Sequence, residues 1–264
     1  MSGTERQFDL SAAAWDSSYD GRDPGGHRVT SRLDAAVELV GPGPGAVLDV
    51  GAGSGRLLAT LAERGWTVSG VDVAPEMIEL ARARIPGAAD RLTVARAEEL
   101  PFDEGAFDVV VIIGVLEYTA VFAAVAELAR VLRSGGRALV GLHSCKAPAT
   151  VWRNRVVVPV ARRVKRLVPF GRAIPAGRAV GLDDASRALE AAGLKVERVV
   201  PVGAQIIPDP LDRFAPRLAY RVGRRAERSP RLRRVFATQR LIVARTRWRR
   251  GRPGAAHRRT RPLR

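Results

Sequence analysis

Cysteine is almost missing from this chain. Cys145 stands alone in 264 residues, so no internal disulfide can form and nothing calls for an oxidising compartment. Histidine is nearly as scarce. His27, His143 and His257 lie far apart, and with one cysteine they offer no zinc-ligand spacing, so no metal is expected. Aromatic residues are only 5% of the chain, too few for the stacking platforms that RNA recognition uses. No apolar run approaches the roughly 20 residues that span a bilayer, and the longest is Val109 to Leu116. The opening Met1-Ser-Gly-Thr-Glu-Arg-Gln-Phe8 has neither the apolar stretch nor the cleavage pattern of a secretion signal. These absences lead to the expectation of a cytoplasmic chain without a span.

What is present is ordinary core material and an uneven charge. Hydrophobic residues make up 46%, enough for one large domain or a domain with a small lobe. The net charge of +17 is split along the chain. Residues 1–145 hold 13 Lys/Arg against 20 Asp/Glu, a net of −7, and residues 146–264 hold 31 against 7, a net of +24. The basic half is the natural surface for an anionic partner. Because 41 of the 44 cations are Arg, compositional bias is the competing explanation of its size.

Apolar periodicity divides the chain. His27 to Leu39 has helical spacing, and Gly41-Pro-Gly-Pro-Gly45 breaks it. Strand patterns follow at Ala46–Val50, Thr67–Val71, Leu92–Ala95, Phe107–Ile113 and Arg137–Leu142. Helices are expected between them at Arg56–Arg64, Pro75–Arg84 and Phe122–Leu132, with Ser134–Gly136 as a turn. Apolar strands alternating with helices predict an α/β fold with a parallel sheet covered on both faces. Beyond Ser144 the pattern changes. Trp152, Val156, Val160, Val164 and Leu167 form a helical stripe amid Arg and Lys, with Pro159 expected to kink this helix or begin it. Asp183–Ala192 reads as a helix, Leu194–Val202 and Gln239–Arg245 as late strands, and Pro210–Val235 as an Arg-rich helical stretch. The expected divisions are a 1–40 helical cap, a 41–145 core, a 146–182 basic insertion, a 183–246 completion of the sheet, and a disordered basic tail at 247–264.

The most informative segment is Val47-Leu-Asp-Val-Gly-Ala-Gly-Ser-Gly-Arg56, an apolar strand entering a glycine turn that opens a helix. Glycines at 51, 53 and 55 let the backbone turn tightly and approach a ligand, with the helix amino terminus beyond supplying unpaired N–H groups. A dinucleotide loop needs its third glycine at position 56, where Arg56 stands. Asp49 ends the strand. Its carboxylate suits an ammonium or a sulfonium and opposes a diphosphate. Asp72, at the tip of the next strand, can accept both hydroxyls of a ribose, or it can cap the helix that starts at Pro75.

Val47–Gly55, Val71-Asp-Val-Ala-Pro-Glu-Met77, Ala97-Glu-Glu-Leu-Pro-Phe102, Phe107–Tyr118 and Ala129–Gly136 resemble, in order, the motifs of class I S-adenosylmethionine-dependent methyltransferases. The likeness is to the branch (methyltransferase type 11) that includes the ubiquinone and menaquinone biosynthesis methyltransferases, and it covers residues 40–145 well. It implies a Rossmann-like, doubly wound, mostly parallel seven-stranded sheet with an antiparallel edge strand and a basic helical insertion. It implies S-adenosyl-L-methionine as cofactor. Asp49 and Gly51 would sit at its methionine end, with Gly53 and Gly55 permitting close approach. Asp72 would hold the ribose and Val73 would pack on the adenine. Ala97 would offer its amide to the adenine edge, and Ile113 and Gly114 would line the methionine moiety. The family commonly has Asp where Arg96 stands. Arg96 cannot accept a hydrogen bond, so that contact is lost or passes to Glu98.

Methyl transfer from a sulfonium is an in-line displacement that depends first on alignment, and a base is required only where the acceptor must lose a proton. Candidates lie at strand ends and in the lead-in: Glu117, Tyr118, His143, Tyr19 and His27. Each also has a plain structural use as a cap, a packing residue or a strand-end partner. The expected substrate is a small-molecule acceptor, lipid-like or aromatic, methylated on oxygen or carbon. The 151–168 helix is expected either to meet an anionic membrane or to cover the acceptor pocket. An RNA methyltransferase and a non-catalytic cofactor-binding protein are the alternatives.

Overall fold

The computed structural model describes Asp16 and residues 24–144, 146–159, 179–209 and 211–246. Helix α1 (Pro24–Val40) leads into β1 (Gly45–Val50), α2 (Arg56–Glu63), β2 (Trp66–Asp72), α3 (Pro75–Arg84) and β3 (Leu92–Val94). Then come β4 (Phe107–Ile113), α4 (Val121–Val131), β5 (Leu132–His143) and α5 (Pro148–Trp152). The last elements are α6 (Leu182–Ala191), β6 (Leu194–Ala204), α7 (Pro216–Arg228), α8 (Pro230–Phe236) and β7 (Ala237–Thr246). They form one seven-stranded sheet ordered β3-β2-β1-β4-β5-β7-β6. The pairs from β3 to β5 are parallel, and β7 runs antiparallel to both of its neighbours, β5 and the outermost β6.

Strand periodicity sorts the core into two layers. Leu48, Val50, Val110 and Ile112 pack under α4 and α6 with Leu128 and Leu189. Val47, Val109 and Val111 face the other way, onto α1 and α2 with Val37, Leu58 and Leu61. Asp49 shares the parity of Val47, and Ile113 that of Val111, so both belong to the side of α1 and α2. Strand order reverses between β1 and β4, and open α/β sheets bind ligands outside the carboxyl ends of the strands at such a switch.

The segment read as a turn, Ser134–Gly136, is instead a bulge inside a continuous β5. Register slips between Phe107 and Val109 as Leu132 and then Arg137 take up the pairing. The helix after β5 begins at Pro148 rather than Pro159, and a wider turn at Arg153–Val157 continues it. A proline at the first position keeps its fixed φ and has no missing bond to make good. The rest of the basic stripe (Val160, Val164, Leu167) and the 247–264 tail lie outside the described residues.

Candidate functional site

An open cleft lies at the carboxyl ends of β1 and β4, lined by Arg32, Leu33, Asp49, Gly51, Ser54 and Ile113 among others. Three glycines shape its floor, and each does a different job. A Cβ on Gly51 would strike Val115 Cγ2 at 2.1 Å, and one on Gly55 would press on Ala81 Cβ at 3.0 Å. Gly51 thus leaves room for the turn that follows β4, and Gly55 lets α2 approach α3. Gly53 meets nothing within 4 Å, so packing gives no reason for its missing side chain. All three have positive φ, which glycine adopts without cost.

The loop amides are already bonded inside the protein. Gly51 and Ala52 donate to the Val71 carbonyl, at 2.8 and 2.9 Å, and Gly55 donates to the Ala52 carbonyl at 3.0 Å. Gly53 donates to Asp72 Oδ2 at 2.9 Å. These four loop amides are therefore committed within the protein. An anion cradle leaves such donors open, whereas this loop is held by its own strand ends and turns carboxylates towards the ligand. Asp72 also accepts from the Ala74 amide through Oδ1 at 3.0 Å. Each carboxylate oxygen keeps a further lone pair for a hydroxyl.

Two neighbouring acids stand at this edge, Asp49 buried in the cleft and Asp72 half-buried beside it. Burial, and then the neighbouring Asp72, push the Asp49 carboxyl up to about 7, with Arg32 opposing them. Burial also pushes Asp72 up, against the backbone amides of Ala74, Gly53 and Val73. A pair of desolvated carboxylates is costly alone and stabilised by a bound cation. Arg32 was not anticipated. It projects from α1 to line the same cleft, and its Nη1 would lie 3.3 Å from a Cβ on Gly114.

Asp16, the one described residue before Pro24, reaches the far side of the glycine loop. It accepts from Arg56 Nε at 2.8 Å and from Arg84 Nη2 at 3.0 Å, and also from the Ser54 hydroxyl. The Arg56 hydrogen bond leads the causes that hold this carboxyl far below the usual range, against partial desolvation. The contacts span 38 to 68 residues, which no local pattern could announce.

Two of the base candidates come together. His143, at the end of β5, places Nδ1 2.7 Å from Glu117 Oε1 on the turn that follows β4. The Glu117 side chain is 10% exposed and that of His143 59%. Burial raises the Glu117 carboxyl, but the His143 hydrogen bond and charge outweigh it and hold it below the ordinary value. With Nδ1–H donating to the carboxylate, Nε2 is left as the accepting nitrogen on the exposed side. Tyr118 is half-buried beside this pair, its hydroxyl pushed up by burial and by Glu117. His27 is corrected to a packing residue: it is buried edge-on to Tyr220 at 5.6 Å and a Gly223 Cβ would strike its ring. Tyr19 lies outside the described residues.

Residues 48–140 match the family described as "Methyltransferase domain". An uncharacterised methyltransferase of Mycobacterium tuberculosis is 43% identical over 91 residues, 34% of this chain and 37% of that protein. The ubiquinone/menaquinone biosynthesis C-methyltransferase of Geobacter sp. is 36% identical over 114 residues, 40% of this chain and 48% of its own. The chain thus spans less than half the length of these relatives. The match lies on the segment that runs from β1 through β5. Solved structures agree on the fold across nearly the whole chain. An S-adenosylmethionine-dependent methyltransferase of Thermotoga maritima superposes with a TM-score of 0.60 at 16% identity, over 92% of this chain and 99% of its own. Geranyl diphosphate C-methyltransferase of Streptomyces coelicolor, solved with S-adenosyl-L-homocysteine, gives 0.53 at 17% identity, over 81% and 78%.

Within the matched segment the remaining expected site residues occupy the same edge or the neighbouring loops. Val73 is half-buried just past Asp72, Ala97 is buried, and Ile113 lines the cleft with Gly114 next along the chain. Glu98 is committed elsewhere in part. Its Oε1 accepts from the Ala120 amide at 2.9 Å, and Oε2 lies 3.7 Å from Arg96 Nε. The transfer of an adenine contact from position 96 to Glu98 therefore competes with a bond that fixes the start of α4.

Proposed function

We propose that the chain is an S-adenosylmethionine-dependent methyltransferase acting on oxygen or carbon of a small-molecule acceptor, with His143 taking the acceptor's proton. The observation that carries the cofactor is the pairing of buried Asp49 and half-buried Asp72 around a loop whose Gly53 opens on empty space. These residues fit the group. Asp49 meets its ammonium and Arg32 its carboxylate, so the two charges of an amino-acid end are answered by opposite charges of the cleft. Asp72 receives the ribose hydroxyls, and the open face of Gly53 admits the ligand without a clash. When bound, the cofactor supplies an electrophilic methyl on a good thioether leaving group, so alignment at near-attack distance is the main demand on the protein.

Glu117 fixes the imidazole and stabilises it once protonated, and His143 Nε2 holds the proton drawn from a hydroxyl or an acidic carbon. Glu117 Oε2 is buried and unpartnered among the described residues, which keeps this acid close to a polar demand at the acceptor edge. The segment that follows, with Trp152 and Val156 exposed, supports the idea that the basic insertion covers the pocket or meets a membrane. A methyl-donor labelling assay against lipid, small-molecule and RNA extracts tests the acceptor class. Label is expected in the lipid or small-molecule fraction, and label confined to RNA overturns this reading.

Two binding predictions follow from the acids. Asp72→Asn keeps an oxygen for the Gly53 amide but loses the charge at the ribose, and is expected to weaken cofactor binding by about 1–3 kcal/mol. Equal calorimetric affinity of variant and parent removes Asp72 from the site. The second concerns pH. Asp49 holds its proton in the unliganded protein up to about pH 7. Its contribution to stability is present below the ordinary carboxylate range and is lost as pH rises through 7. An ammonium ligand needs the ionised form, so affinity should fall roughly tenfold per pH unit below about 7. Asp49→Asn should flatten that slope, leaving only what Asp72 contributes. A parent affinity independent of pH between about 5.5 and 7 contradicts the role given to Asp49.

A further inference from the structure

We infer that the 205–236 region is a membrane-docking face that seats the catalytic edge of the sheet on an anionic bilayer. It stands independently of methyl transfer. β6 runs parallel to β1–β5, so its carboxyl end, Ala204, lies on the same edge as Asp49 and His143. The chain between Ala204 and its pairing partner Ala237 at the start of β7 is therefore an excursion from the acceptor edge.

The inner face of this excursion is accounted for by packing. Ala219, Gly223 and Ala226 are buried at helical spacing on α7, and Gly223 lies against His27 of α1 and the carbonyl of Ala204. The outer face is not. Phe214 is 84% exposed, Leu218 55% and Leu211 48%, an apolar stripe of sequence with its members four and three residues apart. Leu232 and Val235 of α8 are exposed as well. Such a cluster of large apolar side chains, rather than scattered single ones, marks a surface that meets something apolar.

The charges choose the partner. Residues 211–236 hold nine Arg against two acids. Both acids turn inward: Asp212 is buried, and Glu227 accepts from the amides of Gly203 and Ala204, at 3.3 and 2.7 Å. Arg217, Arg221, Arg225 and Arg228 lie exposed beside the apolar stripe, and none meets a carboxylate among the described residues. A face of one sign carries none of the alternating charge that fixes register with a folded protein, and it suits a fluid anionic surface. Of these side chains only Phe214 offers a π-face on which a base could stack, whereas all of them gain from an acyl layer.

Flotation of the full chain with vesicles of phosphatidylcholine, alone or mixed with phosphatidylglycerol, tests this. The parent is expected to bind the mixed vesicles, and salt should weaken binding because the attraction fades over a Debye length of about 8 Å at physiological strength. The triple variant Arg217→Gln, Arg221→Gln, Arg225→Gln should lose at least about tenfold in partitioning. Phe214→Ser with Leu218→Ser should leave weak, fully salt-reversible binding. Unchanged circular dichroism and unchanged S-adenosylhomocysteine affinity show that both variants are folded. Three results overturn the inference: a parent that does not float, variants that float like the parent (which would give binding to other basic segments), or RNA that anionic vesicles fail to displace.

Discussion

His143→Gln is expected to lower methyl transfer to the labelled acceptor by about a hundred- to ten-thousand-fold, the range that a positioned base supplies. Cofactor affinity should stay at the parental value, because the ring lies at the end of β5 and not among the residues that line the cleft beside Asp49. Glu117→Gln should fall between the two, since the amide can still touch Nδ1 at 2.7 Å but no longer stabilises the protonated ring. A His143→Gln protein with parental turnover returns His143 to a strand-end partner and moves the search for the base to Tyr118.

Gly53→Val should abolish cofactor binding with the fold retained. A Cβ at this position meets no protein atom within 4 Å, so the added methyls enter ligand space rather than the core. The φ of +52° adds backbone strain for a β-branched residue, of order 1–3 kcal/mol. Gly53→Asn separates the two effects, because Asn tolerates this backbone region. Both variants should lose binding, and only the valine variant should lose measurable stability. If the asparagine variant binds like the parent, Gly53 serves the turn alone. Gly51→Ala is a useful contrast. Its Cβ would strike Val115, so that change should damage the fold itself.

The parallel core was legible because its strands are apolar throughout and its helices are periodic, and the elements from β1 to β4 match their sequence patterns within about a residue. Asp49 and Asp72 were legible for a related reason: each ends a strand next to glycine or before a helix start, where position implies orientation. The three glycines looked equivalent, and their different roles appear only when Val115 and Ala81 arrive from elsewhere in the chain. Glu117 and His143 were each visible as strand-end residues. Their pairing depends on β4 and β5 being neighbours in register, 26 residues apart. Arg32 and Asp16 had no local mark at all. One is an arginine among many, on a helix read only for its apolar side, and the other acts on residues up to 68 positions away. The Ser134–Gly136 bulge was missed because a Gly-Gly pair signals a turn and a bulge alike.

Calorimetric titration of the purified chain with S-adenosylhomocysteine, with NAD as the comparison ligand, tests the central claim most directly. Saturable one-to-one binding of S-adenosylhomocysteine is expected, weakened in Asp72→Asn and lost in Gly53→Val, with no heat from NAD. Binding of NAD, or S-adenosylhomocysteine binding that neither substitution alters, would contradict the assignment of this cleft.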